Sequence, residues 1–390
     1  MSRRYSAFAL IATAIASSIA QAQVYNLGGF GGDSNATSIN DLGQVVGSSS
    51  NTAVNRTQGF LYIGPYGTGQ LLNLSELSGR PFTTATGINN AGQVTGDSDF
   101  QMSNGIETHP YLYSPLVQGS TLMDLGTLGG AYGVAFGINN RGQVSGEAWT
   151  SPTFADMSFR YSGIPGQGGS MQPLGTFGGS VSLGNAINDA GTVVGVSTTA
   201  NNLLGRAFYA HEGGQLTDLG ALGGNQAEAR AINNAGLIAG WAFTSTQQRH
   251  AFLTDLQNAS AGMVDLGTLG GSTSSANGIN EQGHVVGRST LANGSEHAFL
   301  YVGTPGVDGQ MIDLDAWLDL VNPVEGAYWT LETANDINNN GLVVGTGVYN
   351  DVFEMGRRAF VLDVSALIPE PASLTMLAAS GGLLVVRRRK

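Results

Sequence analysis

The side chains able to do chemistry are few. Histidine occurs at His109, His211, His250, His284 and His297, and cysteine is absent. Without cysteine there are no disulfides, thiolate metal sites or cysteine nucleophiles. His109, His250 and His297 each stand two residues before an aromatic, at equivalent points of a repeat. Equivalent points of a ring of repeats lie far apart, so these imidazoles are expected to hydrogen-bond a neighbouring blade or loop, not to converge on a metal. Asp124, Asp218 and Asp265 recur in the same way and read as turn or inter-blade residues. Pairs of carboxylates for acid–base work stay open, because spacing does not show which acids meet.

Other chemical signals are weaker. Gly28-Gly29-Phe30-Gly31-Gly32-Asp33 fits the first half of a calcium-binding nonapeptide, but it occurs once, and Asn35 replaces the expected apolar residue. No serine lies in a nucleophile elbow, and no lysine follows a glycine phrase as a phosphate loop needs. No catalytic residue, metal or cofactor is therefore assigned. Aromatic rings remain as binding features. Trp149 and Trp241 follow a repeated glycine, and Trp317 and Tyr328 lie in the longest insertion, residues 313–336. There, Leu314, Trp317 and Leu318 share one face of an expected short helix that packs against the ring. If exposed instead, any of these four rings would stack on a sugar.

The elements that position these residues follow from composition and repetition. The chain has 390 residues, 59 of them Gly, with 11% charged and 42% hydrophobic residues. Glycine is thus about twice its usual ~7%. The basic residues Arg3 and Arg4 open the chain and Arg387, Arg388, Arg389 and Lys390 close it; between 23 and 368 stand 10 Arg and 27 acids, a net charge near −17. Such a surface repels phosphate backbones, which excludes nucleic acid as a partner.

The dipeptide Ile-Asn recurs at Ile39, Ile88, Ile138, Ile187, Ile232, Ile279 and Ile337, at intervals of 49, 50, 49, 45, 47 and 58 residues. Each copy carries a glycine three residues after the Asn (Gly43 to Gly341) and another four further on (Gly47 to Gly345). Asn and the first glycine suit a tight hairpin turn, and the second glycine suits a bulge or a close backbone approach. An aromatic strand follows, such as Phe60-Leu61-Tyr62, and then a fourth element, best seen as Asp124-Leu125-Gly126-Thr127-Leu128-Gly129-Gly130. Four short strands per ~50 residues predict an all-β, seven-bladed propeller of four-stranded antiparallel blades. The seventh unit lacks its own fourth element, and Asn26-Leu27-Gly28-Gly29 precedes the first, so Val24–Leu27 is expected to close the last blade.

These phrases, with His250-Ala251-Phe252 and His297-Ala298-Phe299, resemble the bacterial extracellular HAF-repeat family over residues 24–363. The leading His is replaced by Gln58, Met157, Arg206 and Arg358. The resemblance implies export and a repetitive β fold, without a defined reaction. The ends agree. Residues 1–22 read as a signal peptide, with a basic start, an apolar run and Ala20-Gln21-Ala22, predicting cleavage between Ala22 and Gln23. Pro369-Glu370-Pro371, an apolar run too short to span comfortably, and Arg387-Arg388-Arg389 resemble the PEP-CTERM sorting signal. That resemblance implies processing by an exosortase-type membrane transpeptidase, with transient inner-membrane anchoring through the tail.

The expected organisation is a signal peptide (1–22), a propeller (23–367) and a sorting segment (368–390). The expected function is that of an exported, surface or extracellular interaction module associated with biofilm matrix or exopolysaccharide. The alternative is a polysaccharide lyase or glycosidase built on the same scaffold.

Overall fold

The computed structural model describes residues 22–103, 105–115, 120–164, 167–351 and 355–368. It is an all-β, propeller-like arrangement of antiparallel strands in chain order. Strands Gly31–Ile39, Val45–Asn51, Arg56–Ile63 and Gln70–Asn73 pair in sequence as one four-stranded sheet. Gly223–Ile232 to Val264–Asp265 and Gly270–Ile279 to Gln310–Asp313 form two more. The stretch from Gly87–Ile88 to Thr217–Asp218 contains three such antiparallel sets, linked by the lone parallel bridges Tyr132–Thr108 and Asp156–Val181.

The last sheet is completed from the other end of the chain. Trp329–Ile337, Leu342–Asn350 and Met355–Asp363 are joined by Val24–Asn26, with Val24 opposite Leu362 and Asn26 opposite Phe360. Leu27 N–H extends this ladder to Ala359 O at 3.0 Å. Val24 and Leu27 are buried, so the latch is apolar as well as hydrogen-bonded.

Each repeated residue has a mechanical reason. The first glycine of every phrase lies at positive φ (Gly43 at 75°, Gly236 at 88°), which closes the turn between first and second strands. The second glycine lies opposite the third strand's aromatic: Gly47 faces Phe60, Gly146 faces Phe159 and Gly345 faces Phe360. Those rings are fully buried and lie over the space that the missing side chain leaves. A Cβ on Gly240 would stand 2.0 Å from the carbonyl oxygen of Glu228, and one on Gly195 would stand 1.8 Å from that of Leu183. That close approach accompanies a one-residue shift of register: Ala36 pairs with Gly47, but Ser38 pairs with Val46, so Thr37 is bulged. The same shift falls at Phe136, Asn185, Arg230, Asn277 and Asn335.

One expectation is refined. Of the Asp124–Gly130 phrase only Asp124 belongs to the fourth strand; Gly129 and Gly130 already begin the next sheet. Leu125 and Leu128 between them pack on the core, making the phrase the hinge that carries the chain from one sheet to the next. The insertion behaves as expected: Leu314–Val321 is a helix capped by Asp313, with Leu314 and Leu318 fully buried and Trp317 packed against the same core.

Candidate functional site

At the hairpin-turn end, the Ile-Asn phrases make a closed circle. The Nδ2 of Asn40 donates to the carbonyl oxygen of Asn89 at 3.0 Å, Asn89 to Asn139 at 3.0 Å and Asn139 to Asn188 at 2.8 Å. Asn188 donates to Asn233 at 3.2 Å, Asn233 to Asn280 at 3.0 Å, Asn280 to Asn338 at 3.3 Å, and Asn338 back to Asn40 at 3.0 Å. The Oδ1 of each Asn meanwhile accepts N–H groups of its own turn, as from Leu42 and Gln44 to Asn40.

A second circle lies beside it. The N–H of Asp41 donates to Asn90 Oδ1, and the pattern continues through Asn140, Asp189, Asn234, Glu281 and Asn339 to Asp41. Burial, with Asp189 and Asp41 as negative neighbours, raises the pKa of Glu281. Bulged residues, and Thr86 at the place equivalent to Thr37, provide a third set of links towards the next sheet. Thr37 donates to Ala85 O at 2.7 Å, Thr86 to Ala135 O at 2.8 Å, Asn185 to Ala229 O at 2.8 Å and Asn335 to Ala36 O at 2.7 Å. Together these phrases enclose a polar cavity of about 310 Å³. Nearly all of its amides are already committed to the protein, so this end is a fastening.

The other end of the hairpins is different. The residue after the second glycine is Ser48, Asp97, Glu147, Val196, Trp241, Arg288 or Thr346 in successive units. Here the repeat dissolves into two contrasting patches. Around Trp241, its Nε1 donates to Glu228 at 2.9 Å and Arg249 lies over its ring at 5.7 Å. Burial and the neighbouring Arg288 and Arg230 push Arg249 below its ordinary range, and its buried Nε has no acceptor among the described residues. Arg288 also borders a polar crevice of about 480 Å³, with Glu296, Glu332, Asn335, Thr346 and Arg357 among its lining.

The second patch is acidic and aromatic. Trp149 lies 5.2 Å from Tyr132 and 6.5 Å from Phe154 between ring centroids, and Phe154 is 70% exposed. Asp156 pairs across the strands with Trp149, and Glu147 lies two residues away on the same face. Burial, then the charge of Asp156, raises the Glu147 carboxyl to about 7. Asp97, on the preceding sheet, is raised to about 6, first by burial and also by Asp99, against the lowering effect of its hydrogen bond from Thr84. The Tyr132 hydroxyl is raised by burial and by Glu147, Asp97 and Asp156.

The histidines are structural partners of the recurrent aspartates, within one sheet. His109 Nδ1 lies 2.9 Å from Asp124, His250 2.8 Å from Asp265 and His297 2.9 Å from Asp313. Arg206 takes the same place beside Asp218 at 2.9 Å, and Gln58 accepts from Asn73 at 3.0 Å. Asp124, Asp218 and Asp265 in turn hold a hinge glycine, as Asp124 accepts from Gly126 N–H at 2.7 Å, whereas Asp313 accepts from Asp315 and Ala316 N–H at the start of its helix. The partner is therefore the unit's own fourth strand, not the neighbouring blade or loop expected; a constant separation of 15 or 16 residues was the signal. His211 meets Thr192 at 3.0 Å, and burial lowers the pKa of His284 beside Asn280.

Of the four stacking candidates, Trp149 and Tyr328 are exposed, at 36% and 38%. Trp241 is covered by Arg249 and Trp317 is packed on the core. Ala22 is buried, its carbonyl accepting from Asn322 at 2.8 Å, while Gln23 O accepts from Asp363 N–H. Pro369, Glu370, Pro371, Arg387, Arg388 and Arg389 lie outside the described residues, as does the signal segment before Ala22. Among the described residues no group of three carboxylates or imidazoles is placed to share a metal ion, and no helix is long and apolar enough to cross a membrane.

No family model and no curated protein matches the chain. Among solved structures it is similar to a puromycin hydrolase, an S511A mutant complexed with PGG, at 13% identity and TM-score 0.47, covering 85% of this chain and 52% of that one. It is similar to TolB from Acinetobacter baumannii at 13% identity and TM-score 0.43, covering 77% and 69%. A mutant of AofleA from Arthrobotrys oligospora matches at 11% identity and TM-score 0.36, covering 75% and 86%. The chain spans about half the length of the puromycin hydrolase. These are likenesses of fold, and no activity passes through them to this chain.

Proposed function

We propose that the chain is a seven-bladed propeller, exported and sorted to the cell surface, that binds extracellular polysaccharide with the end opposite its asparagine circle. The blade count is supported by seven Asn-to-carbonyl links that return to their start. Export and sorting rest on the two terminal signals, with an exosortase-type transpeptidase as the processing partner. The observation that carries the binding role is the contrast between the ends. The Asn and Gly of each turn are constant, whereas equivalent positions beyond the second glycine, halfway along the second strand, change from serine to glutamate, tryptophan and arginine. A scaffold that fixes its fastening residues and varies beyond them is suited to present the variable part. Screening the full chain on an array of matrix glycans tests the reading. Binding that is lost when far-end residues are changed supports it; a blank array overturns it.

A second reading, a polysaccharide lyase or glycosidase, is favoured by one observation. Glu147, raised to about 7, stands near Asp156 and gives a carboxyl that is about half protonated at neutral pH beside a second acid, the pairing glycoside chemistry uses. Release of reducing ends or unsaturated uronates from the bound glycan, abolished in Glu147→Gln, would establish it.

A further inference from the structure

We infer that the Tyr132–Trp149–Phe154 platform, with Glu147 and Asp156 at its edge, binds an amino-sugar chain that carries free amines. The inference rests on the proposed glycan-binding role and names the chemistry of one ligand. Two independent observations meet here. The rings stand open: Trp149 is 36% exposed and Phe154 70%, although large aromatic surface is ordinarily covered. Sugar rings present apolar C–H faces to such a platform.

The polar groups around the rings are also unengaged. Among the described residues, the Tyr132 hydroxyl, the Trp149 Nε1 and the carboxylates of Glu147 and Asp156 have no hydrogen-bond partner, in contrast to Trp241, whose N–H is held by Glu228. A cluster built for stability would use these groups on one another, because unpaired polar groups in half-buried places are costly.

Charge selects the ligand. Among the described residues, the charged groups acting on Glu147 and Tyr132 are Asp97, Glu147 and Asp156, all acidic. A uronate or sulfated chain would be repelled. A neutral sugar would stack yet leave the carboxylates unused. An ammonium group placed beside a ring that lies on Trp149 or Phe154 meets carboxylate and aromatic face together. Spacing along the sheet fits this, since Asp156 lies directly across from Trp149 and Glu147 one side chain further along the same face.

The test is titration of the full chain with glucosamine oligomers, N-acetylglucosamine oligomers of equal length and a lysine oligomer, followed by tryptophan fluorescence and calorimetry. The glucosamine oligomer is expected to bind at least about tenfold more tightly than either other probe, the discrimination that one charge-assisted hydrogen bond provides. Glu147→Gln should erase the preference for amine over N-acetyl. Phe154→Ala, at a residue too exposed to matter for folding, should weaken both sugars alike. Equal affinity for the acetylated sugar, equal affinity for the lysine oligomer, or a preference that survives Glu147→Gln overturns the inference. If other glycans bind and glucosamine oligomers do not, this inference fails while the proposed function stands. If no glycan binds, both fail.

Discussion

Asn233→Asp isolates what the asparagine circle contributes. Asn233 is 4% exposed; its Nδ2 donates to Asn280 O at 3.0 Å and its Oδ1 accepts from Leu237 N–H at 2.9 Å. Aspartate keeps the shape and the accepted bond, but sets a carboxylate oxygen against a carbonyl oxygen. Glu281 and Asp189 stand in the adjoining circle, so the local charge is already negative. Loss of the donated bond costs about 1 kcal/mol. Burial beside acids should raise the new carboxyl by roughly two units, a further ~2.7 kcal/mol while it is ionised. The sign follows from linkage. A carboxyl raised in the folded state loses stability as pH rises from its unfolded value, near 3.9, through its folded value. Below that range the protonated form can donate to Asn280 O and recover part of the bond. Urea unfolding against wild type should therefore give a loss of about 3–4 kcal/mol at pH 7.5 and about 1 kcal/mol at pH 4. Equal losses at both pH values, or a larger loss in acid, would refute the assignment of Asn233 as a buried donor.

Gly240→Ala should cost at least about 3 kcal/mol in thermal unfolding, because its Cβ meets the backbone oxygen of Glu228 at 2.0 Å, which cannot move without breaking the bulge. Gly79→Ala, with nothing within 4 Å of the added carbon but φ at 64°, should cost only about 1 kcal/mol. Deleting Val24–Gly29 removes the burial of Val24 and Leu27, about 4 kcal/mol, and should lower Tm by several degrees; an unchanged melt would refute the latch. Burial opposes charge on His109, yet Asp124 and Glu107 outweigh it and its pKa is raised. That contribution is complete below about 6.5 and fades as pH passes the folded value, so His109→Asn should lose more stability at pH 5.5 than at pH 9.

Much of the architecture was legible because geometry forces it into residue type. A positive φ at Gly43 and its equivalents admits almost nothing but glycine, and Gly47 and its equivalents have no room for a Cβ. Such constraints repeat wherever the fold repeats, so periodicity exposes them. The latch was legible for the same reason: Asn26 holds Gly28 N–H at 2.8 Å just as Asp124 holds Gly126, and that shared phrase marked Val24–Leu27 as a displaced fourth strand. The inter-sheet role of the asparagines was hidden, because each also serves its own turn, which alone explained its presence. The acidic platform was hidden more deeply. Tyr132, Glu147, Trp149 and Asp156 come from three strands and follow no repeat, so only pairing brings them together.

That division has a physical basis in how the circle closes. In an open stack, the first and last units would leave Asn338 without an acceptor and the carbonyl of Asn40 without this donor. Here the bond from Asn338 to Asn40 removes both ends, and the pairing of Val24 with Leu362 joins the same first and last segments by a separate ladder. Every asparagine then serves two sheets at once, so a change in one disturbs its neighbour as well as its own turn. The aromatic platform is built differently: Trp149 packs on Tyr132 of its own sheet, and Phe154 packs edge-on against Trp149. Substitutions there cost little beyond their own contacts, leaving that end free to take up whatever chemistry a ligand demands while the asparagine end keeps the ring shut.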